Sequence, residues 1–318
     1  MTLHARELDW NPKANITALA HAAVHHWRQN DINWPLTIYL GVVHVGFAQG
    51  AATLASCRWQ TLFFVVALLG LSELGITGGA HRLWSHRSYK AHWTLRLFLM
   101  VCFSMANQGS IYHWARDHRV HHKYSEEDAD PHNASRGFFF AHIGWLLVKK
   151  HPEVLKAGRK LDLSDLEDDP VVMFQRTHHA LLALFMCFIL PGALPHFAWG
   201  EPLWNGVWVA GFFRYVACLH ATWLVNSAAH FFGHRPYDER SWPGENALVS
   251  AFTMGEGWHN WHHKYPFDYS ASELGVSMQF NPTRMFIDFM AFVGLVTDRK
   301  RALRAWKRAK QAQKCKGT

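Results

Sequence analysis

The stretch QTLFFVVALLGLSELGITGGAHRLWSH (60–86) decides the fold. Residues 60–79 carry one ionisable side chain, Glu73. At about 1.5 Å per helical residue, such a segment covers the roughly 30 Å hydrocarbon core of a bilayer. The two histidines of HRLWSH follow at once. An apolar helix that runs straight into paired imidazoles predicts a membrane span that delivers metal ligands to the water interface.

Three more stretches share that length and character: 35–54, 179–198 and 203–225. A shorter run, 95–106, cannot span and is expected half-buried near the interface. Buried core helices of a soluble protein seldom run this long uninterrupted. The chain is 49% hydrophobic with 16 Trp and 22 Phe, yet its mean hydropathy is only -0.11, so a large polar portion must lie outside the bilayer. The expected fold class is all-α: an integral membrane protein with four transmembrane helices in two hairpins beneath a cytosolic helical cap. A single domain is expected over 1–318, with the cap drawn from 81–178 and 226–300 and a basic tail at 301–318.

Charge sets the orientation. The net charge is +8 and the pI about 9.3. The connections 55–59 and 199–202 hold only Arg58 among all Lys and Arg, so both termini and the long middle loop are expected in the cytosol. No signal-peptide pattern opens the sequence. No zinc-finger, helix-turn-helix or RNA-binding signature accompanies the bases, so a membrane surface and not nucleic acid is the expected partner. The five cysteines form no CxxC pair and read as small core residues.

Histidine is the anomaly: 24 residues, as many as Asp and Glu together. Three clusters stand out: HRLWSH (His81, His86), HRVHH (His118, His121, His122) and HNWHH (His259, His262, His263). His230 closes the fourth apolar stretch, with Asn226 one turn before it. All lie at the cytosolic ends of the expected spans. In H-x-x-H-H the imidazoles sit at i, i+3 and i+4, on one helical face, and two such boxes facing each other can surround two metals. The i, i+5 pair of HRLWSH would splay by about 140° on a straight α-helix, so the span is expected to end or bend between them. A pH-sensing cluster is the competing reading. His21, His25, His26, His44, His92, His178, His179, His196 and His220 read as ordinary hydrogen-bonded histidines. With imidazole and no thiolate, and nine candidate ligands, the set suits two redox-capable ions, iron or copper, better than a structural zinc. Asp117, Asp128, Asp130 and Glu256 are expected to orient the rings; Glu126 and Glu127 read equally well as a solvated loop. Trp258 and Trp261 are expected to keep the surroundings of the third box dry.

At these residues the sequence resembles the membrane acyl-CoA desaturases, in particular the animal stearoyl-CoA (delta-9) type. The likeness lies in GGAHRLWSHRSYKAH (78–92), WARDHRVHHKYSEEDADPHN (114–133), RGFFFAHIGWLLVKKHP (136–152), LDLSDLE (161–167), VMFQR (172–176), ATWLVNSAAHFFGHRPYD (221–238) and GEGWHNWHHKYPFDYSASELG (255–275). The resemblance implies a diiron centre on His81, His86, His118, His121, His122, His230, His259, His262 and His263, with Asn226 reaching one metal through water. It implies molecular oxygen as co-substrate, electrons from cytochrome b5 and its reductase in trans, and a cis double bond placed in palmitoyl- or stearoyl-CoA, at delta-9. It implies an endoplasmic reticulum membrane location. Gln108, Trp114, Thr222 and Trp223 should line the bend of an acyl tunnel, Val65 and Leu69 its far end, and Arg116, Asp117, Lys149 and Lys150 should contact coenzyme A. Plain packing competes for the two tryptophans, and anionic lipid competes for the lysine pair. A bulky Leu69 would favour palmitoyl chains. A lipid hydroxylase with the same cage, and a non-catalytic metal- or acyl-CoA-binding membrane protein, are the rival readings.

Three departures from the family pattern matter. Gly109 stands where an asparagine is usual and His113 where a glutamate is usual. Glu73 sits inside the second apolar stretch, where an ionisable group costs roughly 2.5 kcal/mol or more. Arg214 or His220 is its expected partner, a simple interhelical contact the blander reading. The terminal KCKGT fits a K-x-K-x-x retrieval signal or a solvated tail.

Overall fold

The computed structural model describes residues 24–316. The expectations for His21 and for the last two residues of KCKGT lie outside them. Among the described residues, four helices are long and apolar enough to cross a membrane: Trp34–Ser56, Trp59–Ser85, Pro170–Trp199 and Leu203–Phe231. The protein is therefore a predominantly helical, multi-pass membrane protein. Each helix outruns its apolar stretch, the second, third and fourth chiefly at the cap end. A helix ends where its caps lie and not where the apolar residues stop. Thus the third helix starts at Pro170, with the Asp169 carboxylate accepting from the Val171 amide at 2.9 Å, nine residues before the apolar run begins.

Close approach holds the bundle together. A side chain at Gly75 would collide with the backbone of Cys102 and Phe103, which lets the second span lie against the helix Trp93–Ala106. That helix is half-buried as expected: Leu99 and Phe103 are enclosed, while Trp93 and Phe98 are exposed. At the end away from the cap, the buried Glu201 carboxylate accepts from the Arg58 amide and the Asn205 side chain, both at 2.9 Å, and from the Thr61 hydroxyl, tying the two hairpin turns together. On the cap side a short antiparallel pair, Lys90–Ala91 with Val296–Thr297, joins the chain just after the first histidine box to its distal part.

Two irregularities shape the cap ends of the spans. Residues Gly75–Ser85 are π-helical, and the His86 amide donates to the His81 carbonyl, five residues back, at 3.1 Å. The span does end between His81 and His86, at Ser85, as expected, but it reaches that end through π turns and not through a bend. The helix widens, and i→i+5 bonding stacks residues five apart along one face. The two imidazoles consequently meet, with ring centroids 4.8 Å apart. In the fourth span, Ser227 (φ -103°, ψ -77°) interrupts the regular helix between Arg214–Asn226 and Ala228–Phe231. Asn226 and His230 stand on either side of that break.

Candidate metal centre

The cap gathers all nine predicted histidines into two clusters. His81, His86, His118, His122 and His262 form one; His121, His230, His259 and His263 form the other, and within each the ligand atoms lie within 4.8 Å of one another. Each H-x-x-H-H box is divided. The i and i+4 residues of HRVHH (His118, His122) enter the first cluster and the i+3 residue (His121) the second. HNWHH does the reverse, with His259 and His263 in the second and His262 in the first. Positions i+3 and i+4 fall on opposite sides of the line through i, about 100° apart, so each helix can serve two centres.

The ring nitrogens converge. His81 and His262 stand 2.9 Å apart at Nε2, His86 and His118 2.8 Å, and His122 and His262 3.0 Å. In the second cluster the Nε2 separations are 3.3 Å for His121 and His263, and 3.1 Å for both His230–His259 and His259–His263. Imidazoles bound about 2.1 Å from one ion and at right angles would stand about 3.0 Å apart. In three of the nine rings the opposite nitrogen faces a carboxylate. His121 Nδ1 lies 2.9 Å from Asp130, His230 Nδ1 2.7 Å from Glu126 and His81 Nδ1 3.0 Å from Glu256. A ring that gives its Nδ1 proton to a carboxylate turns a bare Nε2 lone pair inward. Bare lone pairs at 3 Å repel one another unless a cation lies between them, so the donor set fits metal ions.

Electrostatics agrees. Burial, reinforced by neighbouring imidazoles, holds His86, His118, His122, His259, His262 and His263 well below the ordinary imidazole range, in the neutral form that binds metal. His121 goes the other way: burial lowers it, but the Asp130 carboxylate outweighs burial and raises it. Burial alone would raise Glu256, yet Arg82 and His81 hold it down. Arg82 is almost fully enclosed and grips Glu256 Oε1 at 2.8 and 3.0 Å, so the carboxylate that aims His81 is itself fixed. His121, Asp130 and His132 also cluster, but Asp130 backs a ligand of the second centre, so this is the outer wall of that centre.

Two cavities meet the cage. The larger, about 680 Å³, is within the range of small-molecule sites and runs past His113, Asp117 and Lys150 to Gln108, Trp114, Thr222 and Trp223. Its bend is braced by two hydrogen bonds: Trp114 Nε1 donates to Gln108 Oε1 at 3.0 Å, and Gln108 Nε2 to Thr222 Oγ1 at 2.8 Å. Trp114 stacks on His118, 5.0 Å between centroids, which sets the bend directly against the first cluster. A smaller cavity of about 40 Å³ adjoins both clusters and is walled by Glu73, Thr77, His81, His121, Asn226 and His259 among others.

Other predicted residues fall elsewhere. Val65 packs with Val209 and Ala210, and Leu69 leans on the main core; neither lines either of these two cavities. Lys150 contacts Asp117 at the cavity mouth, whereas Arg116 lies beside Asp117 and the exposed Lys149 donates to the Asn30 carbonyl at 2.8 Å. Asp117 therefore serves Arg116 and Lys150 and orients no histidine, and the exposed Asp128 orients none. Glu73 pairs with neither expected partner. Arg214 is saturated by the Ala210, Met105 and Cys187 carbonyls and by Ser72 Oγ at 2.9–3.0 Å, and His220 bonds His44 and His142. Trp258 bonds the Phe280 carbonyl, and buried Trp261 packs on Tyr237 and Tyr265. Sequence reasoning missed Glu126 as a ring-orienting group and Arg82 as its counterpart behind His81. Arg82 lay in plain view inside the first box.

A predominantly helical membrane bundle whose cap converges nine imidazoles on two centres is a membrane metalloprotein with a dinuclear-type site. The comparisons with known proteins narrow the class. The sequence profile described as "Fatty acid desaturase" matches residues 57–276. Bovine "Stearoyl-CoA desaturase 5" is 51% identical over 90% of this chain and 84% of its own length. Human "Stearoyl-CoA desaturase" is 54% identical over 86% of this chain and 75% of its own. The carp "Acyl-CoA desaturase" is 53% identical over 86% and 83%. The chain belongs to the fatty acid desaturase family.

Proposed function

We infer that this protein is an oxygen-dependent acyl-CoA desaturase that places a cis double bond, at delta-9, in palmitoyl- or stearoyl-CoA. The observation that carries the reading is the contact between the braced cavity bend and the first imidazole cluster. A chain bent there would hold one methylene pair beside the metal centre. Two iron ions are the proposed occupants, held by the nine histidines, with Asn226 beside the second cluster reaching its ion through water. Bound iron would supply the oxygen chemistry needed to break an unactivated C–H bond, which general acid–base groups cannot do. The chain's own residues do the rest. Gln108, Trp114 and Thr222 hold the bend, Trp223 walls it, and the apolar lining excludes water. Lys150 and Asp117 at the mouth meet the coenzyme A head group, the lysine suited to its phosphates.

Electrons are proposed to come from cytochrome b5 and its reductase in trans. The location is proposed as the endoplasmic reticulum with both termini cytosolic, in keeping with the Lys and Arg distribution. The test is expression in a yeast lacking its own acyl desaturase, grown without unsaturated lipid, with double bonds mapped by mass spectrometry. Growth with delta-9 monoenes is expected. Hydroxylated chains without a double bond would replace the reading with a hydroxylase. No product from a metal-loaded, well-expressed protein supplied with cytochrome b5 would remove it.

A further inference from the structure

Glu73 is unaccounted for by the reaction. It lies in the second span, is only 3% exposed, and its Oε1 has no hydrogen-bond partner. It walls the small cavity that also touches both imidazole clusters, and that cavity shares Trp114, His118, Thr222 and Asn226 with the larger one. A chain bent at Trp114 and continued past the cage into the smaller cavity would meet this carboxyl.

Of the polar groups around it, the Cys218 thiol lies against the carboxyl and His259 Nδ1 has no hydrogen-bond partner, while several others are engaged elsewhere. Thr77 pairs with Thr283 at 2.7 Å, Thr253 donates to the Val249 carbonyl at 2.7 Å, Thr222 is bonded to Gln108, and Glu256 is gripped by Arg82. Arg214, the nearest cation along the fourth span, spends its bonds on carbonyls and Ser72. A saturated tail passing Glu73 would leave a buried carboxyl oxygen unpaired, a standing penalty. A chain carrying a hydroxyl would relieve it.

We propose that Glu73 is a specificity residue that hydrogen-bonds a hydroxyl carried by the acyl chain beyond the reacting methylenes, so that the enzyme favours such oxygenated chains over plain ones. This rests on the acyl-CoA desaturase reading. A site built to pair a substrate hydroxyl discriminates strongly against the analogue that lacks it, because its own polar group is then stranded.

The test uses the metal-loaded, full-length enzyme with cytochrome b5 and its reductase. Stearoyl-CoA is compared with hydroxystearoyl-CoAs whose hydroxyl is moved carbon by carbon along the distal half. One isomer is expected to exceed stearoyl-CoA in kcat/KM by about tenfold or more. In Glu73→Leu and Glu73→Ala that ratio should fall to about one, whereas Glu73→Gln, still able to hydrogen-bond, should keep part of it. A wild-type enzyme that ranks stearoyl-CoA above every hydroxylated chain would overturn the proposal without any variant needing to fold, and so would a ratio that survives in Glu73→Leu. Desaturation of plain chains without the preference defeats this proposal alone. Desaturation of nothing defeats the functional reading with it.

Discussion

Two groups of histidines in this protein look alike at first measure and do opposite things. In the cap, imidazole nitrogens approach one another at 2.8–3.3 Å. Inside the bundle, His44 Nε2 lies 3.1 Å from His220 Nε2, and His220 Nδ1 lies 3.0 Å from His142 Nε2. The inner rings run end to end. The chain begins at the Leu40 carbonyl, 2.7 Å from His44 Nδ1, and finishes at Ser227 Oγ, 2.9 Å from His142 Nδ1. His220 gives one nitrogen to each neighbour, so the three rings share no point. In the cap, carboxylates occupy the outer nitrogens of His81, His121 and His230, and the inner ones converge. Separation of nitrogens does not identify a metal centre; convergence and what stands behind the rings do.

Breaking the cage should show the largest effect. His262→Ala removes an imidazole from the five-membered cluster and should abolish measurable desaturation, with bound metal per chain falling by elemental analysis. Next come the carboxylates. Asp130→Asn and Glu126→Gln leave every ligand in place but loosen ring orientation, and should lower activity and metal affinity by about 10–100-fold. Chelation of the purified protein should lower its melting temperature by several degrees or more, since bound metal stabilises only the folded chain; an unchanged transition would mean that the clusters hold no ion. The inner chain should respond least in metal content. His220→Leu strands the facing nitrogens of His44 and His142 and should cost about 1–3 kcal/mol of stability, while iron content stays that of the unaltered protein. Loss of iron in that variant would erase the distinction between the two groups.

The spans and the clustering of the nine histidines were legible because both depend on short-range spacing. Twenty apolar residues announce a crossing, and i, i+3, i+4 imidazoles announce a common face. What escaped was set by contacts distant in sequence. Whether His121 joins His122 or His263 depends on how two boxes 140 residues apart face each other. Glu126 looked like part of a solvated acidic run until the break at Ser227 carried His230 to it. Val65 and Leu69 have the right distance from the first box along the helix, but the side of the helix that faces the cavity is fixed by the winding below them. The winding itself could not be foreseen from spacing, because α and π turns are built from the same residues.

That winding limits what can be transplanted. The pair His81 and His86 makes sense only on a helix hydrogen-bonded i to i+5. Copied onto an ordinary α-helical scaffold, HRLWSH would point its imidazoles apart, and the graft would bind through one ring at most. Conversely, deleting a single residue between them would tend to restore α winding and convert the pair to i, i+4 without harming the apolar run. A designer who wants this cage on a new bundle must either carry over the whole segment Gly75–Ser85, including the tight Gly75 contact that accommodates it, or respace the box.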